Sequence, residues 1–102
     1  MATYLFAVSD PRGHTVRLTE NCYQLHILLE HPELGDVSHI ADTITAPDVI
    51  TQDVVDPQRL VYYRTYQARP QRWIKVVVEQ GEVVTAYRVR RLKRGETIQW
   101  QR

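Results

Sequence analysis

The chain has 102 residues, 43% hydrophobic and 25% charged, with one cysteine and a formal net charge of +1. That size and mix fit a single domain over residues 1–102 and exclude wholesale disorder, collagen-like repeats and coiled coils. One cysteine excludes an internal disulfide and a cysteine-built zinc site, so a reducing, cytoplasmic setting is the expectation. No apolar run approaches the roughly 18–20 residues of a membrane helix, and the N-terminus lacks a signal-peptide layout, so no membrane association is expected.

Along the chain, residues 4–8 read as a short strand, and Asp10-Pro11-Arg12-Gly13 has the chemistry of a tight turn. Residues 14–18 alternate and complete an N-terminal hairpin over 4–18. Thr19 then serves as the N-cap of a helix that ends near His31, because Pro32 disfavours α geometry in the residue before it. Leu18, Cys22, Leu25 and Leu29, widened by Leu28, give this helix its apolar face. Asp36 caps a second helix with Val37, Ile40, Ala41 and Ile44 on its apolar side, and Ala46-Pro47-Asp48 closes the helical layer over 19–48. From there the period shortens to two. Strands are expected over 49–55, 60–66, 73–79, 82–89 and 97–100. The turns between them fall at Asp56-Pro57-Gln58, Ala68-Arg69-Pro70-Gln71, Gln80-Gly81 and a basic stretch over 90–95. The fold class is therefore α+β, with N-terminal helices packed on a four-stranded or slightly larger antiparallel sheet over 49–100.

The neutral total hides a split. Residues 1–58 carry nine acids against two arginines, a net of −7, and residues 59–102 carry eleven bases against three acids, a net of +8. Such asymmetry fits a nucleic-acid or acidic partner, or two halves that neutralise each other across the fold. With Gln80-Gly81 as the hairpin loop, Val76 should face Thr85, Lys75 Ala86, Ile74 Tyr87 and Trp73 Arg88. One face is then apolar, and the other carries Trp73, Lys75, Arg88 and Arg90, an RNA-like surface of cations and an indole. A one-residue slip exchanges the faces on one strand.

Among groups able to carry chemistry, His26 lies beside the apolar stripe of the first helix, with Tyr23 at i−3 and Glu30 at i+4. A carboxylate one turn away can orient a histidine for proton transfer. His31 stands at the C-terminus of the same helix. The alternative is a satisfied edge-of-core histidine beside a capping one. His26 and Glu30 could offer two metal ligands, but no His-Glu-x-x-His and no cysteine set accompanies them, so no metal or other cofactor is expected. Ser9 and Ser38 sit in no nucleophile elbow, and no glycine-rich phosphate loop exists. What remains could serve a ribonuclease that uses the adjacent 2′-OH as nucleophile. Such an enzyme needs a base, an acid and cations or hydroxyls around the phosphorane.

His26, His31-Pro32-Glu33-Leu34, Pro47-Asp48-Val49, Asp56-Pro57, Tyr63-Arg64, Lys75-Val76-Val77-Val78, Val84-Thr85-Ala86-Tyr87 and Lys93-Arg94-Gly95-Glu96 with Trp100 stand in an order that resembles a known family. They look like the phage-borne nuclease-like domains grouped with barnase, EndoU, colicin E-type and D-type tRNases and RelE toxins, which share the BECR fold. The resemblance spans roughly residues 14–100. It implies helices on a four-stranded antiparallel sheet and metal-independent RNA cleavage by a toxin-type enzyme, acting on tRNA or mRNA and held by an antitoxin or immunity protein. By the same resemblance His26 and His31 are acid/base residues, Thr85 and Tyr87 supply polar groups, and Lys75, Arg64 and Arg88 contact phosphate. One position departs: Glu30 stands where arginine often precedes His-Pro-Glu, and an acid there could orient a histidine. A non-catalytic RNA- or ribosome-binding module and a dimeric protein-interaction domain are the other readings.

Overall fold

The computed structural model describes residues 3–66 and 69–102. Its strands are β1 (Tyr4–Ser9), β2 (Thr15–Thr19), β3 (Val49–Gln52), β4 (Arg59–Tyr66), β5 (Arg69–Glu79), β6 (Glu82–Val89) and β7 (Thr97–Gln101). All seven join one sheet in the order β1-β2-β6-β5-β4-β3-β7. The α+β class holds, but the sheet is larger than the expected four strands, and it is mixed. The N-terminal hairpin belongs to it, because β2 lies parallel to β6, with Arg17 opposite Glu82 and the Arg17 N–H donating to the Gly81 carbonyl at 2.8 Å. No helix among the described residues is long and apolar enough to cross a membrane.

The first helix opens where expected, with the Thr19 Oγ1 accepting from the Cys22 N–H at 3.1 Å. Its middle, Tyr23–Ile27, is a π-turn in which the Leu28 N–H reaches back five residues to the Tyr23 carbonyl. A helix ending at Glu30 follows, then a single 3-10 turn over Pro32–Leu34. The π-turn adds a residue to the repeat, so the 3.6-spaced stripe is not the buried one. Tyr23 and Ile27 face the sheet, whereas Leu25 and Leu29, expected in the core, are 67% and 72% exposed. The second helix, Val37–Thr45, keeps its expected register. Asp36 Oδ1 accepts from the Ser38 N–H and hydroxyl, and Ile40 and Ile44 are buried.

Both helices cover one face of the sheet, where Ile50, Tyr62, Ile74, Val76, Val78 and Ala86 join Leu18, Ile27, Ile40 and Ile44 in the main core. The opposite face carries a smaller apolar group, Val49, Val61, Tyr63 and Val77, capped by Trp73, Val84 and Leu92. Leu92 reaches it because the chain leaves β6, crosses the sheet over residues 90–96 and returns as β7 on the far side of β3. β3 stops at Gln52 rather than running to 55. Asp53 Oδ2 accepts the N–H groups of Val55 and Asp56 and folds the chain into a turn. Of the turn expected at 68–71, Ala68 lies outside the described residues, while residues 69–71 already belong to β5.

The hairpin of β5 and β6 decides where the chemistry points. Gln80 and Gly81 form its loop with φ of 51° and 77°, the mirror-image turn suited to two-residue connections, and Val78 faces Val83 as expected. Beyond that pair Val84 is extra. The register becomes Val77–Thr85, Val76–Ala86, Lys75–Tyr87, Ile74–Arg88 and Trp73–Val89. This bulge overturns the expected pairing by one residue. Thr85 and Tyr87 therefore share a face with Lys75, and Arg88 turns to the helix side.

Candidate active site at the open edge of β6

Among the described residues β2 pairs with β6 only at Arg17 and Glu82, so the far half of β6 is a free edge that the turn after the first helix wraps around. There the His31 ring stacks on Tyr87, centroids 5.1 Å apart and planes 26° from parallel. Glu30 stands between the two histidines. Its Oε1 is 3.3 Å from His26 Nδ1 and its Oε2 is 4.0 Å from His31 Nε2, while Glu33 Oε2 is 3.8 Å from His31 Nδ1. Both nitrogens of His31 thus have a carboxylate nearby, at distances beyond a direct hydrogen bond. His31 keeps 28% of its side-chain surface exposed, enough to meet a substrate.

Behind Tyr87 the row continues inward. The Lys75 ammonium sits 5.6 Å from the Tyr87 ring centre and 5.5 Å from that of Tyr63, between two aromatic faces. Its counter-ion is Glu96, with Nζ 3.7 Å from Oε2, and the two side chains are only 7% and 1% exposed. The other Glu96 oxygen accepts from the Tyr63 hydroxyl at 2.6 Å and the Thr51 hydroxyl at 3.0 Å. Burial, reinforced by the Glu96 carboxylate, pushes the Tyr63 phenol up, so it remains a neutral donor. Glu96 thereby ties the crossing stretch 90–96 to β3, β4 and β5 at one point.

The remaining expected residues divide. Thr85 is half-buried on the Lys75–Tyr87 face, two pairs along toward the hairpin loop. Arg90 is exposed at the start of the crossing stretch, with Arg91, Lys93 and Arg94 exposed beyond it. Trp73 packs edge-on against Tyr63 at 6.4 Å, half-buried rather than displayed. Lys75 is buried and Arg88 points to the helix side, so the expected surface of Lys75, Arg88 and Arg90 is not one face; its exposed cations belong to 90–94. Arg64 also lies on the helix side and donates to the Ala46 carbonyl at 2.8 Å. Among the described residues no group of three or more His, Cys, Asp or Glu is arranged to hold a metal ion.

Compared with models of protein families, with curated proteins and with solved structures, the chain matches none. The site is therefore read from its own geometry. Two of its members escaped the sequence reading. Glu96 had a signal, being the lone acid after four bases in a basic stretch. Glu33 had only its position in the motif His31-Pro32-Glu33-Leu34.

Proposed function

We propose that the chain is a metal-independent endoribonuclease of toxin type with a BECR-like arrangement, acting on cytoplasmic RNA. One observation carries this reading. The bulge at Val84 turns Thr85 and Tyr87 to the side of Lys75, and His31 then stacks on Tyr87 with Glu30 linking it to His26. Residues from three separate stretches so converge on one partly exposed spot, which is what acid–base chemistry on a phosphodiester needs.

In this reading His31, flanked by Glu30 and Glu33, removes the proton from a ribose 2′-OH. The freed oxygen attacks the adjacent phosphorus, the bond to the 5′-oxygen breaks, and His26 returns a proton to that leaving oxygen. The products are a 2′,3′-cyclic phosphate and a 5′-OH. The Tyr87 and Thr85 hydroxyls face the equatorial oxygens of the phosphorane, where donors contribute most. Lys75 acts through Tyr87, holding the phenol ring from behind. The exposed Arg90, Lys93 and Arg94 hold flanking phosphates.

The test is incubation of the purified chain with total RNA and with tRNA in EDTA, reading chain ends for cyclic phosphate. His31→Ala and Tyr87→Phe should slow cleavage by about 10²–10⁴-fold. RNA that stays intact at protein concentrations where His31→Ala is indistinguishable from the parent excludes the enzyme. Salt-sensitive RNA binding without cutting, lost in Arg90→Glu, would assign a binding module instead.

A further inference from the structure

On the helix side of the sheet, beside the row just described, lies a cleft of about 290 Å3 lined by Ser38, His39, Asp42, Arg64, Thr65 and Tyr66. Arg64, Ile74 and Arg88 form one row across β4, β5 and β6, with Ile74 at the cleft floor. Arg88 lies over the Tyr66 ring, 4.6 Å from its centre, and His39 meets the same ring edge-on at 5.5 Å. The cleft therefore has a cation on either side and an aromatic wall.

Two polar atoms here lack partners. Arg88 Nε and His39 Nδ1 are buried and make no hydrogen bond among the described residues. A buried polar atom without a partner is uncommon, and both residues pack on Tyr66 at the cleft wall, so each keeps unused hydrogen-bonding capacity for a ligand there. The ligand is not a simple anion, because Asp42 lines the same cleft and would repel it. It must carry negative charge for the arginines and a hydrogen-bond donor for Asp42. A nucleotide unit has both, and an aromatic base to lay against Tyr66.

We infer that this cleft binds one nucleotide unit, its phosphate between Arg64 and Arg88 and its base or ribose at His39, Asp42 and Tyr66. Arg88 also connects the cleft to the histidine site, since its Nη2 lies 3.4 Å from the carbonyl of Glu33, two residues beyond His31. An RNA strand that rounds the free edge of β6 would place a nucleotide next to the scissile one in this cleft. As a subsite for a flanking nucleotide the cleft rests on the ribonuclease reading; as a mononucleotide site it does not.

The experiment titrates the isotope-labelled full chain with adenosine 5′-monophosphate, and separately with inorganic phosphate, while NMR shifts are followed. Saturable changes at His39 and the Arg64 and Arg88 side chains are expected, with the nucleotide bound more tightly than phosphate. Arg88→Gln and His39→Gln should each weaken nucleotide binding roughly tenfold, as loss of a hydrogen bond to a charged group does. Arg88→Lys should recover part of the loss, and the surface variant Arg59→Gln should bind the nucleotide like the parent. Absence of saturable shifts at His39, equal affinity for phosphate and nucleotide, or undiminished binding in Arg88→Gln would each overturn the inference. RNA cleavage without nucleotide binding would leave the ribonuclease reading standing alone. Nucleotide binding by a chain that leaves RNA intact would do the reverse.

Discussion

Tyr62 and Tyr63 are neighbours on β4 that point to opposite faces of the sheet, and each donates its hydroxyl to a buried carboxylate brought by a connecting segment. Tyr62 donates to Asp10 at 2.7 Å, and Tyr63 to Glu96 at 2.6 Å. The carboxylates differ in what else holds them. Asp10 Oδ1 accepts the N–H groups of Arg12 and His14, both at 2.9 Å, so the β1–β2 turn closes on its own side chain. Burial alone would raise the Asp10 carboxyl, but the Tyr62 hydroxyl and these two amides outweigh it and leave it below the ordinary value. Among the described residues Glu96 accepts from no backbone donor, and its Oε2 makes no hydrogen bond, the Lys75 ammonium lying 3.7 Å away. Asp10 is a closed structural knot, whereas Glu96 couples the crossing stretch 90–96 to the row of Lys75, Tyr87 and His31. A buried carboxylate bonded within its own turn closes that turn; one held by side chains from distant strands ties those strands together.

The sharpest way to break this contrast is to delete the knot. Asp10→Ala leaves Tyr62 and the turn amides without their acceptor and should cost about 3–5 kcal/mol in urea unfolding; a loss within error of zero would show that the turn closes without it. Removing one hydroxyl at a time is gentler. Tyr62→Phe and Tyr63→Phe should each cost about 1–3 kcal/mol, but only Tyr63→Phe should speed tryptic cutting over residues 90–94. Equal cutting rates in the two variants would remove the proposed difference. Acid distinguishes the clusters next. Asp10 has a lowered folded-state value, so its contribution is present above the ordinary carboxylate pKa of about 3.9 and is lost as pH falls through the lower value. Asp10→Asn should flatten that part of the stability–pH curve below about pH 4, and an unchanged acid limb would contradict the assignment. The smallest effect belongs outside both clusters. Arg59 pairs with Glu79 at 3.0 Å on the surface, and Arg59→Ala should leave the urea midpoint almost unmoved, because exposed ion pairs contribute little; a large downward shift would contradict this.

Local chemistry made much of the architecture readable. Thr19 and Asp36 announced both helix starts, Gln80-Gly81 announced the hairpin, and Val49, Tyr62 and Val76 sit in strands that alternation predicts. The seventh-strand arrangement was not readable, because the pairing of β2 with β6 and of β3 with β7 depends on tertiary contacts that no local pattern encodes. Leu25 and Leu29 were misplaced because an apolar stripe assumes one helical repeat, and the π-turn at Tyr23–Ile27 breaks it. For the site, the histidine pair and Glu30 were legible from i, i+4 spacing. The shared face of Lys75, Thr85 and Tyr87 was hidden by one bulged residue, and Asp10 looked like turn chemistry without any sign that Tyr62 would bury it.

The bulge at Val84 has a consequence for how the site is encoded. Between Gly81 and Tyr87 the strand holds one residue more than the ladder pairs, because Val83 meets Val78 and Thr85 meets Val77 with Val84 left out between them. A substitution at Val84 trims a contact in the smaller apolar group and leaves the count intact. Deletion of Val84 leaves an unbroken ladder in which Thr85 still meets Val77 and Tyr87 still meets Lys75, whereas pairing Val84 with Val77 would turn Thr85 and Tyr87 toward the helices and present Arg88 in their place. In this stretch the face that Thr85 and Tyr87 show depends on one residue being skipped by the ladder, and not on which side chain that residue carries.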